Sequence, residues 1–284
     1  MILSNGEMGM TKNWLITGAS SGLGRGLTEK LLARGDSVVA TLRTHGALDV
    51  LRRQHGDRLE VAECALTDVD ATRTAVGRAF AAFGRIDVVV SNAGYGLFGA
   101  AEELDDAQIA RQIETNLTGS IQLIRAVIPR LREQGGGRIV QVSSEGGRIS
   151  YPAFSLYHAT KWGIEGFVEA AAQEVGPFGI DFVIMEPGPT RTNFGAGLDR
   201  AVPMRVYDDT PVGEIRRALE TGYFEFADAA KTVDAMIAAI DSPSPPLHLA
   251  LGKSAYEAIY ASLTTQLVAL QAQKEVAFSV MERA

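Results

Sequence analysis

The sequence predicts an α/β fold: one domain built on a doubly wound, seven-stranded parallel sheet with helices on both faces. Three observations carry this. Seven short runs rich in Val, Ile and Leu alternate with amphipathic stretches at helical spacing. The fourth run, residues 86–91, is nearly all apolar, as a strand covered on both faces should be. A glycine-rich turn joins the first run directly to the first helical stretch, and right-handed crossovers turn such an alternation into a doubly wound sheet.

Residues 14–17 (WLIT) form the first strand. A helix follows over 22–34 and stops at Gly35, because glycine just past the last periodic residue ends a helix. Strand 37–42 (SVVATL), a helical segment over 47–54 ending near Gly56, and a strand over 59–62 come next. Ala75, Val76, Ala79, Phe80 and Phe83 share one face of a helix over 69–83, capped by Asp68. After strand 86–91 a long helix spans 106–131. Strand 138–143, a helix over 155–175 and strand 181–186 follow. Beyond Pro187 the pattern loosens. Residues 189–211 are rich in Gly, Pro, Thr and Arg and read as mobile; with a helix over 212–221 they make a substrate flap, 189–222. A helix over 226–240, the stiff SPSPP connector, strand 247–251 and a helix over 255–282 complete the pattern. No linker divides it, so residues 1–11 read as a flexible leader and 12–284 as one domain.

Composition narrows the function. Lys and Arg number 27 against 34 Asp and Glu, a net charge of −7, so neither general nucleic-acid binding nor attachment to anionic lipid is expected. The single cysteine, Cys64, excludes an intramolecular disulfide and a cysteine-rich metal site, and reads as a small apolar residue beside a strand. His45, His55 and His248 are scattered, so no metal is expected. No apolar run is long enough to span a membrane. The start, MILSNGEMGMTKN, lacks a basic segment followed by a long apolar stretch, so no export signal and a cytoplasmic location are expected.

The turn reads Thr17-Gly18-Ala19-Ser20-Ser21-Gly22-Leu23-Gly24. It suits a diphosphate: glycine lets backbone come close, and the helix N-terminus offers free N–H groups and a favourable dipole. Gly18 and Gly22 line the turn, Gly24 lets helix and strand pack closely, and Ser20 and Ser21 add hydroxyl donors. A purely structural turn would use the same glycines; the placement between strand and helix favours phosphate.

Tyr157-His158-Ala159-Thr160-Lys161 puts a phenol and an ammonium one helical turn apart. An ammonium about 4 Å from a phenolate stabilises it by about 4 kcal/mol at an effective dielectric of 20, about three pKa units, so the spacing predicts a tyrosine brought toward physiological pH. Ser144 ends an apolar strand, where ligands sit in open α/β sheets, and its hydroxyl can hold a carbonyl oxygen. No Gly-x-Ser-x-Gly elbow surrounds it, which argues against a serine hydrolase. Asn92-Ala93-Gly94 follows the fourth strand. Asn116 falls inside the long helix, where Asn is disfavoured, and Pro187-Gly188-Pro189-Thr190-Arg191-Thr192 follows the sixth strand.

With these motifs in this order over residues 13–192, the chain resembles the short-chain dehydrogenase/reductase family, standard single-domain branch. The resemblance implies a Rossmann-type domain, a nicotinamide coenzyme, and interconversion of a carbonyl and a secondary alcohol. It implies Tyr157 as general acid/base, with Ser144 orienting the carbonyl. Lys161 would lower the tyrosine pKa and anchor the nicotinamide ribose, and Asn116 would position a water in a proton relay with Lys161. Implied coenzyme contacts are Gly18, Ser20, Ser21, Gly22, Leu23, Asn92, Ala93, Gly94, the backbone of Leu66, Tyr157 and Lys161, with Pro187, Gly188, Thr190 and Thr192 around the carboxamide.

Leu42 stands where an NAD-selecting acid would be, and Arg43 follows it. A guanidinium there pairs with a 2′-phosphate, so NADP(H) is expected over NAD(H). Two positions depart from the family pattern: Ser91 replaces the first Asn of Asn-Asn-Ala-Gly, and Ala65 stands where an adenine-contacting Asp is common. The Ala-Thr-Leu-Arg stretch and the extended last helix are similar to those of hydroxysteroid and retinol dehydrogenases; a carbonyl reductase is equally compatible. The expected substrate is a small apolar carbonyl or alcohol in a pocket of Tyr95, Phe98, Phe154, Phe194 and Tyr207. In relatives the helices corresponding to 106–131 and 155–175 pair across a twofold axis, so a homo-oligomer, dimer or tetramer, is expected. The alternatives are an NAD-dependent alcohol dehydrogenase and a non-catalytic NADP-binding regulatory protein.

Overall fold

Trp14, Leu15 and Ile16 are wholly buried, because the first strand lies inside the sheet with side chains packed on both faces. The computed structural model describes residues 11–43, 46–222 and 225–281; apart from residue 11, the expected leader lies outside the described residues, as does His45. The elements in order are β1 (Asn13–Thr17), α1 (Gly22–Arg34), β2 (Ser37–Leu42), α2 (Asp49–His55), β3 (Leu59–Glu63), α3 (Val69–Phe83), β4 (Val88–Ser91) and β5 (Leu97–Phe98). There follow α4 (Asp106–Ile113), α5 (Gly119–Glu133), β6 (Gly137–Val142), α6 (Ser155–Val175), β7 (Ile180–Pro187) and β8 (Asp199–Arg200). The last are α7 (Pro211–Thr221), α8 (Ala229–Asp241), β9 (His248–Leu251), α9 (Lys253–Ala272) and α10 (Lys274–Ser279).

Seven strands form one parallel sheet in the order β3-β2-β1-β4-β6-β7-β9. Alternation along each strand sorts the core into two layers. Trp14 and Ile16 of β1 meet Leu27, Leu31 and Leu32 of α1 and Val233, Met236 and Ile240 of α8 on one face. Leu15 meets the other face, with Val76 of α3, Leu123, Ile124 and Val127 of α5, and Ile164 and Val168 of α6. The chain leaves β1 toward β2 on one side and returns to β4 on the other. The resulting switch point opens a crevice at the carboxyl ends of β1 and β4.

The spans of α1, α3 and α6 coincide with those expected, each fixed by a local stop or cap. Gly35 ends α1 at φ 107°, donating to the carbonyls of Leu31 and Leu32, and Asp68 caps α3 by accepting from the N–H groups of Asp70 and Ala71. Two expectations about helices are corrected. The long helix over 106–131 is two α-helices joined by a π-helical turn, Glu114–Thr118. Within 189–211, β8 pairs in parallel with β5, and a short 3₁₀ turn covers Arg205–Tyr207. The final helix begins at Lys253 and breaks at Gln273, and past Ser262 every described residue of α9 and α10 is exposed. Only Ala255 and Ile259 of it are buried. No helix among the described residues is long and apolar enough to cross a membrane.

Candidate active site

The glycine turn is braced from β4. Thr17 Oγ1 donates to the Val90 carbonyl at 3.3 Å and accepts from the N–H groups of Asn92 and Ala93 at 3.0 and 3.1 Å. Asn92 Nδ2 donates to the carbonyls of Thr17 and Gly18 at 2.9 and 3.2 Å. Gly18 and Gly22 take φ of +68° and +58°, a region that favours glycine, and a Cβ at Gly24 would stand 2.4 Å from Asn92 Nδ2 and 2.6 Å from the Gly18 carbonyl. Ser20 and Ser21 are exposed; Ser21 caps α1 with its backbone alone, and no acid occupies the first turn, so the helix end is open to an anion. Leu23 packs on the core behind the turn.

The facing rim is the segment after β7. Thr190 Oγ1 donates to the Gly188 carbonyl at 2.9 Å, and Thr192 Oγ1 accepts from the Phe194 N–H at 3.3 Å. Thr192 Cβ lies 3.8 Å from the point a Cβ on Gly22 would occupy, so turn and rim border the same cleft, with Pro187 at the end of β7. At the outer end Leu42 is buried and carries no acid, while Arg43 is exposed. Burial and Asp199 raise the Tyr95 phenol, and Arg111 and Arg43 oppose them. Leu66 is buried against Gly119 at the start of α5. This tight, positive-φ turn below an open helix end fits a dinucleotide diphosphate.

The polar groups expected to react converge at the carboxyl ends of β4 and β6. Tyr157 and Lys161 are buried on one face of α6. Lys161 Nζ donates to the Val142 carbonyl at 3.0 Å and sits 5.6 Å from the centre of the Tyr157 ring. Ser144 Oγ accepts from the Gly146 N–H at 3.1 Å and acts on the Tyr157 hydroxyl. Asn116 occupies the π-helical turn: its Oδ1 accepts from the Tyr95 N–H at 3.1 Å, and its Nδ2 donates to the Tyr95 carbonyl at 2.8 Å. That turn explains a buried Asn inside a helix, because the widened backbone frees its amide to hold a neighbouring strand end. A Cβ on Gly94 would lie 3.2 Å from Asn116 Oδ1 and 4.0 Å from Lys161 Nζ, so only bare backbone passes between them.

Electrostatics depart from the expected acidic phenol. Burial pushes Tyr157 up to about 12, with Ser144 opposing and Glu145 adding, and pushes Lys161 down to about 8, with Glu165 opposing. Desolvation disfavours both charged forms, and the ammonium is turned toward Val142.

Residues 12–202 match the family model described as short chain dehydrogenase. The chain belongs to the short-chain dehydrogenase family. It is 38% identical over 269 residues to Oxidoreductase BOA17 of Botryotinia fuckeliana, covering 93% of this chain and 97% of that one. A short-chain dehydrogenase of Streptomyces avermitilis superposes with a TM-score of 0.88 at 37% identity, over 96% of this chain and 99% of the other. One from Burkholderia cenocepacia, solved in complex with NADP, gives 0.71 at 26%, over 93% and 97%. The protein is thus an oxidoreductase with the Rossmann-type fold of that family.

In this short-chain dehydrogenase an aromatic wall closes over Tyr157. Phe98 and Phe154 meet at 5.2 Å between centroids, and Phe194 lies 5.8 Å from Tyr157. Tyr207 stands at the rim, its hydroxyl donating to Glu102 at 2.7 Å. His158 clamps the loop after β6: its Nδ1 lies 2.8 Å from the Gly146 carbonyl, and its Nε2 accepts from the Tyr151 N–H at 3.2 Å.

Sequence reasoning passed over several polar groups. Thr17 braces the turn, though its place before Gly18 was a usable sign. Glu145 is buried beside Ser144. Glu165, one turn beyond Lys161, accepts from the Ser143 hydroxyl, and its Oε2 is buried without a hydrogen-bond partner. Near it, His248 Nδ1 pairs with Glu186 Oε1 at 2.6 Å and Nε2 with Glu169 Oε1 at 3.2 Å. One ligand atom each from Glu165, Glu186 and His248 lies within 4.8 Å of the others, so the scatter of histidines along the chain did not exclude a ligand-type cluster. Arg148 Nη1, 3.2 Å from His248 Nδ1, brings a permanent positive charge to it.

Proposed function

We propose that the protein interconverts a carbonyl and a secondary alcohol with NADP(H), Tyr157 passing the proton. The observation that carries this is the convergence of Tyr157, Ser144, Lys161 and Asn116 beside a diphosphate-type turn, under an aromatic wall. A bound nicotinamide coenzyme supplies or receives the hydride. Ser144 holds the carbonyl oxygen against the Tyr157 hydroxyl, which donates its proton as negative charge grows on that oxygen. Lys161 supports the phenolate left behind. Its Nζ, 5.6 Å from the ring centre, works through space against the burial that raises the phenol. Lys161, beside Gly94, would also hold the ribose, and Asn116 with the Tyr95 backbone would orient a water that returns the proton.

Ser20, Ser21, Gly22 and Leu23 would hold the diphosphate, Asn92, Ala93 and Gly94 the ribose, the Leu66 backbone the adenine, and Pro187, Gly188, Thr190 and Thr192 the carboxamide. Arg43 beyond the acid-free end of β2 supports NADP(H), as does the NADP in the Burkholderia structure. The substrate is a small apolar carbonyl compound, on the evidence of the Phe98, Phe154 and Phe194 wall. Exposed Ile113 and Trp162, on α4 and α6, support pairing of two copies. The buried, single thiol of Cys64 suits the cytoplasm. A panel of carbonyls and alcohols, followed by absorbance of the reduced coenzyme with both nicotinamides, tests the reading. Turnover in Tyr157→Phe close to that of the native enzyme overturns it.

A further inference from the structure

The first half of α9 is anchored to the domain. Ala255 and Ile259 are buried, and the Ser262 hydroxyl donates to the Arg148 carbonyl at 3.1 Å. Residues 263–272 continue the same helix for about 15 Å, and every one of them is exposed. A helical stretch of that length without tertiary contacts is marginal in water, and the β-branched Thr264, Thr265 and Val268 weaken it further. The described residues of one chain do not supply the packing that would hold it.

Tyr256, Tyr260, Leu263, Leu267 and Leu270 follow one another at spacings of 4, 3, 4 and 3, the repeat of a helix that pairs with another helix. They form one stripe, from 43% exposed at Leu263 to 65% at Leu270. Tyr256 and Tyr260 already stack, with ring centres 6.3 Å apart and 19° between planes. The stripe is not the face docked on the domain: at about 100° per residue it is centred about a quarter-turn round the helix from Ala255 and Ile259. Charge and area choose what covers it. Residues 258–273 carry no charged side chain. Flanking charges ordinarily select a foreign helix, whereas two neutral copies meet without repulsion even though the whole chain carries −7. The same lack of Lys and Arg removes what holds an amphipathic helix on anionic lipid. At about 200 Å² for a large side chain, covering the exposed parts of the five removes about 600 Å² from each copy, about 1,200 Å² in all, which reaches the range of specific, stable interfaces.

We propose that α9 is a pairing arm: its stripe from Tyr256 to Leu270 packs, seam to seam across a twofold axis, on the same stripe of a second copy of this chain. The surface is separate from α4 and α6 and does not depend on the reaction proposed above.

Light scattering and sedimentation of the full chain compare the native protein with Leu263→Glu/Leu267→Glu. The native particle should have twice the mass of the variant: a tetramer against a dimer where α4 and α6 also pair copies, a dimer against a monomer where they do not. Association through the arm should weaken about a hundredfold or more, since carboxylates enter an apolar seam. Coenzyme affinity should stay within a few-fold, which shows that the domain is intact. A second measurement fixes the face. Leu263→Cys/Leu267→Cys should give a disulfide-linked pair on mild oxidation, whereas Thr265→Cys/Ala269→Cys, at the same spacing on the opposite side of the helix, should not. The native thiol, Cys64, is buried and does not interfere. Equal masses for the native protein and the Glu variant overturn the proposal, as does cross-linking from both cysteine pairs alike. Equal masses together with flotation of the native protein, but not of the Glu variant, on vesicles containing phosphatidylserine would assign the stripe to a lipid surface instead.

Discussion

Lys161 Nζ stands 5.6 Å from the centre of the Tyr157 ring and spends its hydrogen bond on the Val142 carbonyl instead of on the phenol. The lysine is thus tied to the end of β6, and in the proposed reaction it would act on the tyrosine through space. Burial holds its ammonium near a pKa of 8, so the charge that supports a phenolate fades as pH rises through that value. We expect kcat/KM for carbonyl reduction to fall on the alkaline side. Lys161→Met should abolish that support and cost about 10²- to 10⁴-fold in kcat, and Tyr157→Phe should cost at least as much while leaving coenzyme affinity within a few-fold. Steady-state rates together with coenzyme titration by fluorescence separate the two effects.

Arg43→Ala should weaken NADPH binding about ten- to a hundredfold and leave NADH binding nearly unchanged, because only the former presents a 2′-phosphate. Equal affinities before and after the change would reassign Arg43 to a solvated surface charge.

Gly24→Ala places a methyl group 2.4 Å from Asn92 Nδ2 and 2.6 Å from the Gly18 carbonyl. Backbone must shift to admit it, so we expect a loss of about 1–3 kcal/mol in urea unfolding and a weaker coenzyme complex. Gly77→Ala, on a helix where the added methyl meets nothing within 4 Å, is the matched control and should be neutral or stabilising.

The Glu165–Glu186–His248 cluster makes stability depend on pH. Glu165 ionises near 7 in the folded protein against an ordinary 4.5, so between those values the folded state holds a proton that the unfolded state has released. Stability from this group therefore falls as pH rises from about 4.5 to 7. His248, raised chiefly by Glu186, works in the same direction: its contribution is full below about 6.5 and is lost as pH rises through its folded value. Glu165→Gln still accepts the Ser143 hydroxyl and should remove up to about 3 kcal/mol of this decline. Urea unfolding of both proteins at about pH 5 and pH 8 reads the difference, and parallel slopes would assign the proton elsewhere.

Asn116→Ala removes both amide bonds to Tyr95 from a buried site and should cost about 1–3 kcal/mol. Because the π-helical turn exists around that side chain, loss of activity should exceed what the drop in Tm alone explains.

What was legible in the sequence was local. Gly35 and Asp68 mark helix ends by chemistry that needs no tertiary partner. The four-residue spacing of Tyr157 and Lys161 places them on one face of α6 whatever surrounds it. The π-helical turn at Asn116 was not legible, since a helix period runs through it unbroken. Neither was the β5–β8 pair, whose two-residue strands carry no period and meet only because the chain returns across the cleft. The proximity of His248 to Glu165 and Glu186 comes from strand order, as β9 lies beside β7, and spacing along the chain conceals it. The direction of the Tyr157 shift depended on burial, which a helical wheel does not show.

The sheet order also sets a timetable for synthesis. β1 stays open along one edge until β4 emerges, and β7 lacks its outer neighbour until residues 248–251 leave the ribosome. The groove between them, including the Pro187–Thr192 rim, is therefore completed only when almost the whole polypeptide is available. Between residues 187 and 251 of synthesis the outer edge of β7 stands uncovered, an interval in which the incomplete sheet exposes unpaired apolar strand.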